Sequence, residues 1–188
     1  FCSKMIAVYP TDTAYAIGCD ARDDRAIRKI FQIKGREESK TFPLIAADIG
    51  MVQEWCEFSS KANELARQYW PGPLTLILPV KKQGLSQSVI SNGSVAIRVP
   101  DSIEARELSR EIGAPIVSTS ANKAAKPNCY LISQVKDSLK HKFKMIDRVI
   151  DAGKLDKSLA STIVKVHNND IEIIRQGEIK IKNKHASF

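Results

Sequence analysis

Four polar side chains crowd into the five residues Ser118-Thr119-Ser120-Ala121-Asn122, directly after the apolar pair Ile116-Val117. Hydroxyls and a carboxamide at the end of a short β-branched run can donate to an anionic ligand in the crevice beyond a strand end. The same residue types also make ordinary turns and helix caps, so alone they fix nothing. The other groups able to hold an anion are Lys34, Arg36, Lys40, Arg98 and Arg175, with Ser94 as a further hydroxyl. Guanidinium and ammonium groups favour phosphate and carboxylate oxygens through charge-assisted hydrogen bonds. Arg98 is isolated among Val95, Ala96, Ile97 and Val99, where an unpaired charge is expensive, so it needs an anion or an internal partner.

Much familiar chemistry is excluded. The chain has no G-x-x-x-x-G-K-[ST], no G-x-G-x-x-G and no G-x-S-x-G, so a nucleotide would have to be held by side chains. Cys2, Cys19, Cys56 and Cys129 are irregularly spaced and stand apart from His141, His167 and His185. Neither a zinc site, a disulfide framework nor a hydrolase triad is indicated, and no metal-ligating set is expected. The net charge of +8 is spread over both halves and is densest from Lys136 to Arg148, with Lys180, Lys182 and Lys184 near the end. Such runs are solvated faces or attract a polyanion such as RNA.

The elements that position these groups follow from periodicity and punctuation. At 188 residues and 43% hydrophobic, the chain suits one globular unit. No apolar run approaches the roughly 18 residues that span a bilayer, and Phe1-Cys2-Ser3-Lys4 lacks a signal-peptide core, so a soluble cytoplasmic protein is expected. Met5–Tyr9 reads as a buried strand entering the polar turn Pro10–Thr13. Asp23 or Asp24 caps a helix with Ala26, Ile27, Ile30 and Phe31 on its apolar side, closed by Gly35. Phe42–Ala47 is a short strand, Asp48 caps Ile49–Phe58, and Ser59 or Ser60 opens a helix that Trp70-Pro71-Gly72-Pro73 breaks. Leu74–Val80 is the strongest strand and Val95–Val99 the next. Asp101-Ser102-Ile103-Glu104 has the spacing of an acidic helix cap, with Ile103, Leu108 and Ile112 on the apolar side and Gly113 at the end. Ser133–Leu139 reads as helix, Met145–Ile150 as strand, and Ser161–Val166 with Ile171–Arg175 as a hairpin around Asn168-Asn169-Asp170. β–α units mixed with hairpins imply an α/β fold with a sheet of mixed direction.

Taken in order, Tyr9-Pro10-Thr11-Asp12-Thr13-Ala14-Tyr15, Lys34-Gly35-Arg36, Trp70-Pro71-Gly72-Pro73-Leu74-Thr75, Val95–Pro100, Ser118–Asn122, Ser161-Thr162-Ile163-Val164 and Ile174-Arg175-Gln176-Gly177 closely resemble the YrdC family. The resemblance covers about residues 5–179. It implies an open, twisted α/β sheet of mixed parallel and antiparallel strands, with flanking helices and a concave basic face. The expected organisation is a single YrdC-like catalytic domain over 1–179 and a basic tail over 180–188. The implied activity is threonylcarbamoyl-AMP synthesis from L-threonine, bicarbonate and ATP with release of pyrophosphate, serving threonylcarbamoyladenosine formation in tRNA. The alternative is an RNA-binding module of the same fold without chemistry.

By motif, the resemblance assigns the family's Lys-x-Arg and Ser-x-Asn tetrad to Lys34, Arg36, Ser120 and Asn122 as catalytic, phosphate-holding groups. It assigns Lys40, Ser94, Asn128 and Arg175, together with Lys34, Arg36 and Ser120, to ATP contact. Thr13, Arg98, Ser118 and Ser161 are assigned to threonine, with Arg98 facing a wet pocket until the substrate carboxylate arrives. Mg²⁺ is expected to be carried by the ATP phosphates rather than by a protein site. tRNA or tRNA-modification proteins are the implied partners, and no membrane is. Departures from the pattern are Ala16 where glycine is usual, Ala47 where many members carry histidine, and Ala124-Ala125 in place of Ser-Gly.

Overall fold

The computed structural model describes residues 5–37, 40–167 and 170–181, so the expectations for Cys2, Asn168-Asn169, Lys182, Lys184 and His185 fall outside it. Ten strands and five α-helices follow one another as β1 (Ala7–Tyr9), β2 (Ala16–Gly18), α1 (Asp24–Lys34), β3 (Leu44–Ile45), α2 (Ile49–Trp55), α3 (Ser60–Tyr69), β4 (Leu74–Pro79), β5 (Ser94–Arg98), α4 (Ile103–Ile112), β6 (Ile116–Val117), β7 (Thr119–Ser120), α5 (Ile132–Leu139), β8 (Arg148–Val149), β9 (Thr162–His167) and β10 (Asp170–Arg175).

The helices begin and end where short polar residues and glycines dictate. Asp23 accepts from the Arg25 and Ala26 amides at the start of α1, and Gly35 closes it at φ 61°, a left-handed turn that a side chain resists. Asp48 and Ser59 cap α2 and α3. For α4 the cap is Ser102, which accepts from Ala105 N, and not Asp101; the helix starts one residue later than the acidic spacing suggested. Ile103 consequently lies 62% exposed at the first turn, and Ala105, Leu108 and Ser109 form the buried face instead.

The strands form two sheets of mixed direction, ordered β7-β2-β1-β8 and β10-β9-β4-β5-β3-β6. They meet where the chain passes from β6 to β7 through the single residue Ser118. Ser118-Thr119-Ser120 is therefore not a turn: Thr119 and Ser120 pair with Ile17 and Ala16 of β2. Val117 N donates to Cys19 O, and Ala21 N to Pro115 O, which stitches the continuation of β2 onto β6. Gly18 is required at this crossing, because a Cβ there would sit 1.8 Å from Val117 O.

In the six-stranded sheet the side chains alternate with period two. Leu74, Leu76 and Leu78 of β4, with Val95 and Ile97 of β5 and Val164 of β9, are buried in the main core with Trp70, Phe31 and the helices. Burying each such aliphatic side chain stabilises by about 1.5–3 kcal/mol, so this face holds the sheet to its helices. The opposite face carries Thr75, Ala96, Arg98 and Ile163, which floor an open space above the strands.

Candidate active site

That second face floors a cavity of about 440 Å³ whose walls come from both sheets. Among the described residues its cations are Arg36, Arg98 and Arg175, its hydroxyls include Thr11, Thr13, Thr75, Ser118, Ser120 and Ser161, and none of its lining residues is acidic. Two hydrogen-bonded clusters supply these groups.

The first centres on Arg98, the last residue of β5. Its Nη1 donates to Asp12 Oδ1 at 2.6 Å and its Nη2 to Thr13 Oγ1 at 3.2 Å. Arg98 and Asp12 side chains are 8% and 11% exposed, so the expected bare cation is already an ion pair. Asp12 Oδ2 is buried without a hydrogen-bond partner. The Asp12 backbone is pinned by a turn in which Thr11 Oγ1 accepts from Thr13 N and Ala14 N, and by Ser158 Oγ, which donates to Asp12 O. Beside it, Arg175 Nε and Nη2 donate to Ser161 O at 3.1 and 2.8 Å, and Nη2 reaches Ser161 Oγ at 3.2 Å. Ser161 Oγ also exchanges a hydrogen bond with Thr75 Oγ1 at 2.9 Å. Burial, and then the positive charge of Arg98, hold the Arg175 guanidinium below its ordinary pKa.

Arg175 reaches Ser161 because of a bulge. Ile173 pairs with Val164 and Arg175 with Ile163, leaving Ile174 as the extra residue of β10. The register slip turns Arg175 to the cavity side of the sheet, where Ile163 also lies.

The second cluster centres on Lys34. It occupies the position seven residues after Ile27 and four after Ile30, the buried stripe of α1, and is 3% exposed. Its ammonium donates to Ser120 O, to Asn122 O at 2.9 Å and to Asn122 Oδ1 at 3.3 Å, which occupies all three of its protons. Burial, and then the charge of Arg36, push it down to about 8. Asn122 continues the network: its Oδ1 accepts from Ser120 Oγ at 2.6 Å, and its Nδ2 donates to Lys126 O and Pro127 O. Lys34 and Asn122 thus hold the loop that carries Ser120 and Asn128 into the cavity, while neither lines it. Arg36, past the glycine cap, does line it. Its Nη2 donates to Thr41 O at 3.2 Å, its guanidinium lies 4.9 Å over the Phe42 ring, and its buried Nε has no partner among the described residues. Burial lowers its pKa from the ordinary value.

Of the residues singled out from sequence, Thr13, Arg36, Arg98, Ser118, Ser120, Asn128, Ser161 and Arg175 converge on this cavity. Ser94 instead lines an adjoining cavity of about 330 Å³ that shares Thr41 and Ala96 with the first. Lys40 is exposed and lines neither. Ala16 lines the main cavity, and Ala47 is buried outside it. Ala125 sits at φ 62°, a conformation that favours glycine. Sequence reasoning gave no role to Asp12, Thr75 or Ala96. The period-two pattern Ser94, Ala96, Arg98 was the available signal for the last of these.

Among the described residues no group of three or more His, Cys, Asp or Glu side chains could hold a metal ion. No helix among them is long and apolar enough to cross a membrane.

Comparison with known proteins agrees with this architecture. The family model Sua5/YciO/YrdC, described as telomere recombination, matches residues 3–177. A putative threonylcarbamoyl-AMP synthase of Methanocaldococcus jannaschii is 34% identical over 94% of this chain and 82% of its own length. The threonylcarbamoyl-AMP synthase of Bacillus subtilis is 34% identical over 93% of this chain, which spans 50% of that protein. The crystal structure of P. abyssi Sua5 complexed with L-threonine superposes with a TM-score of 0.83 at 28% identity, over 93% of this chain and 51% of that one.

Proposed function

This chain belongs to the Sua5/YciO/YrdC family, and we propose that it is a threonylcarbamoyl-AMP synthase, a nucleotidyltransferase that makes L-threonylcarbamoyladenylate and pyrophosphate from L-threonine, bicarbonate and ATP. The observation that carries this reading is a cavity onto which two cation-bearing clusters face, one around Arg98 and one around Arg36, with no acidic side chain among its described lining residues.

In this reading Arg98, Thr13, Ser118 and Ser161 receive threonine, with the Arg98 guanidinium directed at its carboxylate. Arg36, Ser120 and Asn128 take the ATP phosphates, with Lys40 at the rim; Arg175, which the resemblance assigns to ATP, is held on Ser161 beside Arg98 and adds its charge to the threonine cluster. The adjoining cavity, lined by Ser94, Ile77 and Val89, gives the nucleotide base an apolar seat. The reaction asks little of acid–base groups. Threonine's amine and bicarbonate give a carbamate and water, and a carbamate oxygen attacks the α-phosphorus as pyrophosphate leaves. Catalysis is then positioning plus neutralisation of the charge that develops on the phosphates. Arg36 supplies that charge at the cavity wall. Lys34 and Asn122 fix Ser120 and Asn128 from behind, and Lys34 adds a second positive charge at short range. ATP enters as its Mg²⁺ complex, with the ion held by phosphate oxygens and water.

Residues 1–179 are the catalytic unit of this proposal and 180–188 a basic tail. The activated product is one that a tRNA-modifying enzyme would consume, so tRNA and the proteins of that modification are the implied partners, in the cytoplasm. A purely RNA-binding role is less well supported, since Arg98 is largely buried in an ion pair and cannot meet a phosphodiester backbone. The test is pyrophosphate release by the purified chain. It is expected only when threonine and bicarbonate are both present, and equal release with no amino acid would remove the synthase reading.

A further inference from the structure

We propose that Asp12 is a charge-setting positioning residue: by cancelling one of the two guanidinium charges of the Arg98 cluster, it makes that cluster accept a monoanionic carboxylate and turn away phosphates. The proposal rests on the synthase reading and deepens it.

An enzyme that binds an amino acid and a triphosphate in one cavity must keep the more highly charged ligand off the amino-acid subsite. Both clusters hold two cations, Arg98 with Arg175 at the cavity wall, and Arg36 at the wall with Lys34 behind it. They differ in what stands behind those cations. Behind Lys34 and Arg36 the described contacts are carbonyl, carboxamide and aromatic groups, which leave the full double charge for a polyphosphate. Behind Arg98 stands the carboxylate of Asp12, the acidic ion-pair partner found among the described residues for any guanidinium lining this cavity. With it, the Arg98 cluster holds one net positive charge, which a single carboxylate neutralises.

The contact is built to stay. The Thr11 turn and Ser158 fix the Asp12 backbone on both sides, and Arg98 Nη1 holds its side chain. The pair also fixes Arg98. With Nη1 on Asp12 and Nη2 on Thr13 Oγ1, the guanidinium plane is set before substrate arrives.

Removing the negative charge should do two things: loosen the fork that reads threonine, and create a doubly positive subsite that phosphate can occupy. The test is steady-state pyrophosphate release with threonine varied at saturating ATP and several fixed concentrations of inorganic phosphate. It compares the wild-type chain with Asp12→Asn. For the wild type, phosphate should not compete with threonine. For Asp12→Asn, the threonine KM should rise at least tenfold, and phosphate should become competitive with threonine with an inhibition constant at least tenfold lower. Asp12→Ser, whose small side chain admits a water beside Arg98, should behave likewise and covers the case in which the amide strains the contact. Arg175→Gln added to Asp12→Asn should abolish the gained competition, because it removes the excess charge. A raised threonine KM with no phosphate competition in either variant would mean that Asp12 only braces Arg98, and would overturn the proposal. An inactive wild type would instead remove the synthase reading itself.

Discussion

The two cation clusters of the cavity are stabilised by opposite means. Arg98 is paired with a carboxylate, whereas the groups that meet Lys34 and Arg36 among the described residues are carbonyls, a carboxamide and an aromatic ring. A buried ion pair is costly to break, since the surviving charge is stranded. A buried cation without a counter-ion is costly to keep, and an incoming anion relieves that cost. The first arrangement makes a rigid reader of one carboxylate, and the second a site whose charge is balanced only when a polyanion is bound.

The sharpest way to separate them is to remove one guanidinium from each. Arg98→Ala strands Asp12 and should cost about 3–5 kcal/mol of stability by chemical denaturation. Arg36→Ala breaks no ion pair among the described residues and should leave the melting temperature nearly unchanged, yet lower turnover by two or more orders of magnitude, about 3 kcal/mol of transition-state stabilisation. Equal stability losses in the two variants would erase the distinction.

A second separation uses pH. Lys34 is pushed to about 8 by burial and the Arg36 charge, against an ordinary 10.5. Its depressed pKa means that the charged form costs stability below pH 8, a cost relieved as pH climbs from 8 towards 10.5. A polyphosphate needs that charge, so affinity for a non-hydrolysable ATP analogue should fall as pH rises past about 8, by up to tenfold per unit. In Lys34→Met the fall should vanish. A pH-independent affinity in the wild type would mean that Lys34 does not feel the ligand.

The smallest effect concerns the loop that Asn122 anchors. Ala125 at φ 62° holds a conformation that costs a side-chain-bearing residue roughly 1 kcal/mol, in the loop where the resemblance expects Ser-Gly. Ala125→Gly should therefore raise stability by about 0.5–1 kcal/mol in denaturant titration, since relief of strain outweighs the entropy a glycine adds to the unfolded chain. A loss of stability would place the loop in another conformation.

How legible this was from sequence depended on the range of the interactions. Caps such as Asp23, Asp48, Ser59, Gly35 and Gly113 act within four residues, and they were readable. The strand order, set by pairings far apart in the chain, was not readable, and the pairing of Thr119 and Ser120 was hidden because their partner β2 lies about a hundred residues earlier. Lys34 could have been read as buried from the Ile27 and Ile30 stripe, but a lysine in the last turn of such a helix is normally a solvated cation. Asp12 was invisible in its role, since its partner is 86 residues away and its neighbours read as an ordinary turn. Motif resemblance picked out residues most of which line one cavity; it did not separate those that line it from those held behind its wall.

The central claim is that one cavity reads a carboxylate with one cluster and a polyphosphate with the other. Calorimetric titration of threonine and of the ATP analogue, each separately, into Arg98→Lys and Arg36→Gln tests it most directly. Arg98→Lys keeps the charge but loses the planar fork, so threonine binding should weaken by about 1.5–3 kcal/mol with ATP-analogue binding nearly intact. Arg36→Gln should show the reverse pattern. If Arg98→Lys instead weakens the ATP analogue and spares threonine, Arg98 belongs to the phosphate cluster and the division of the cavity is contradicted.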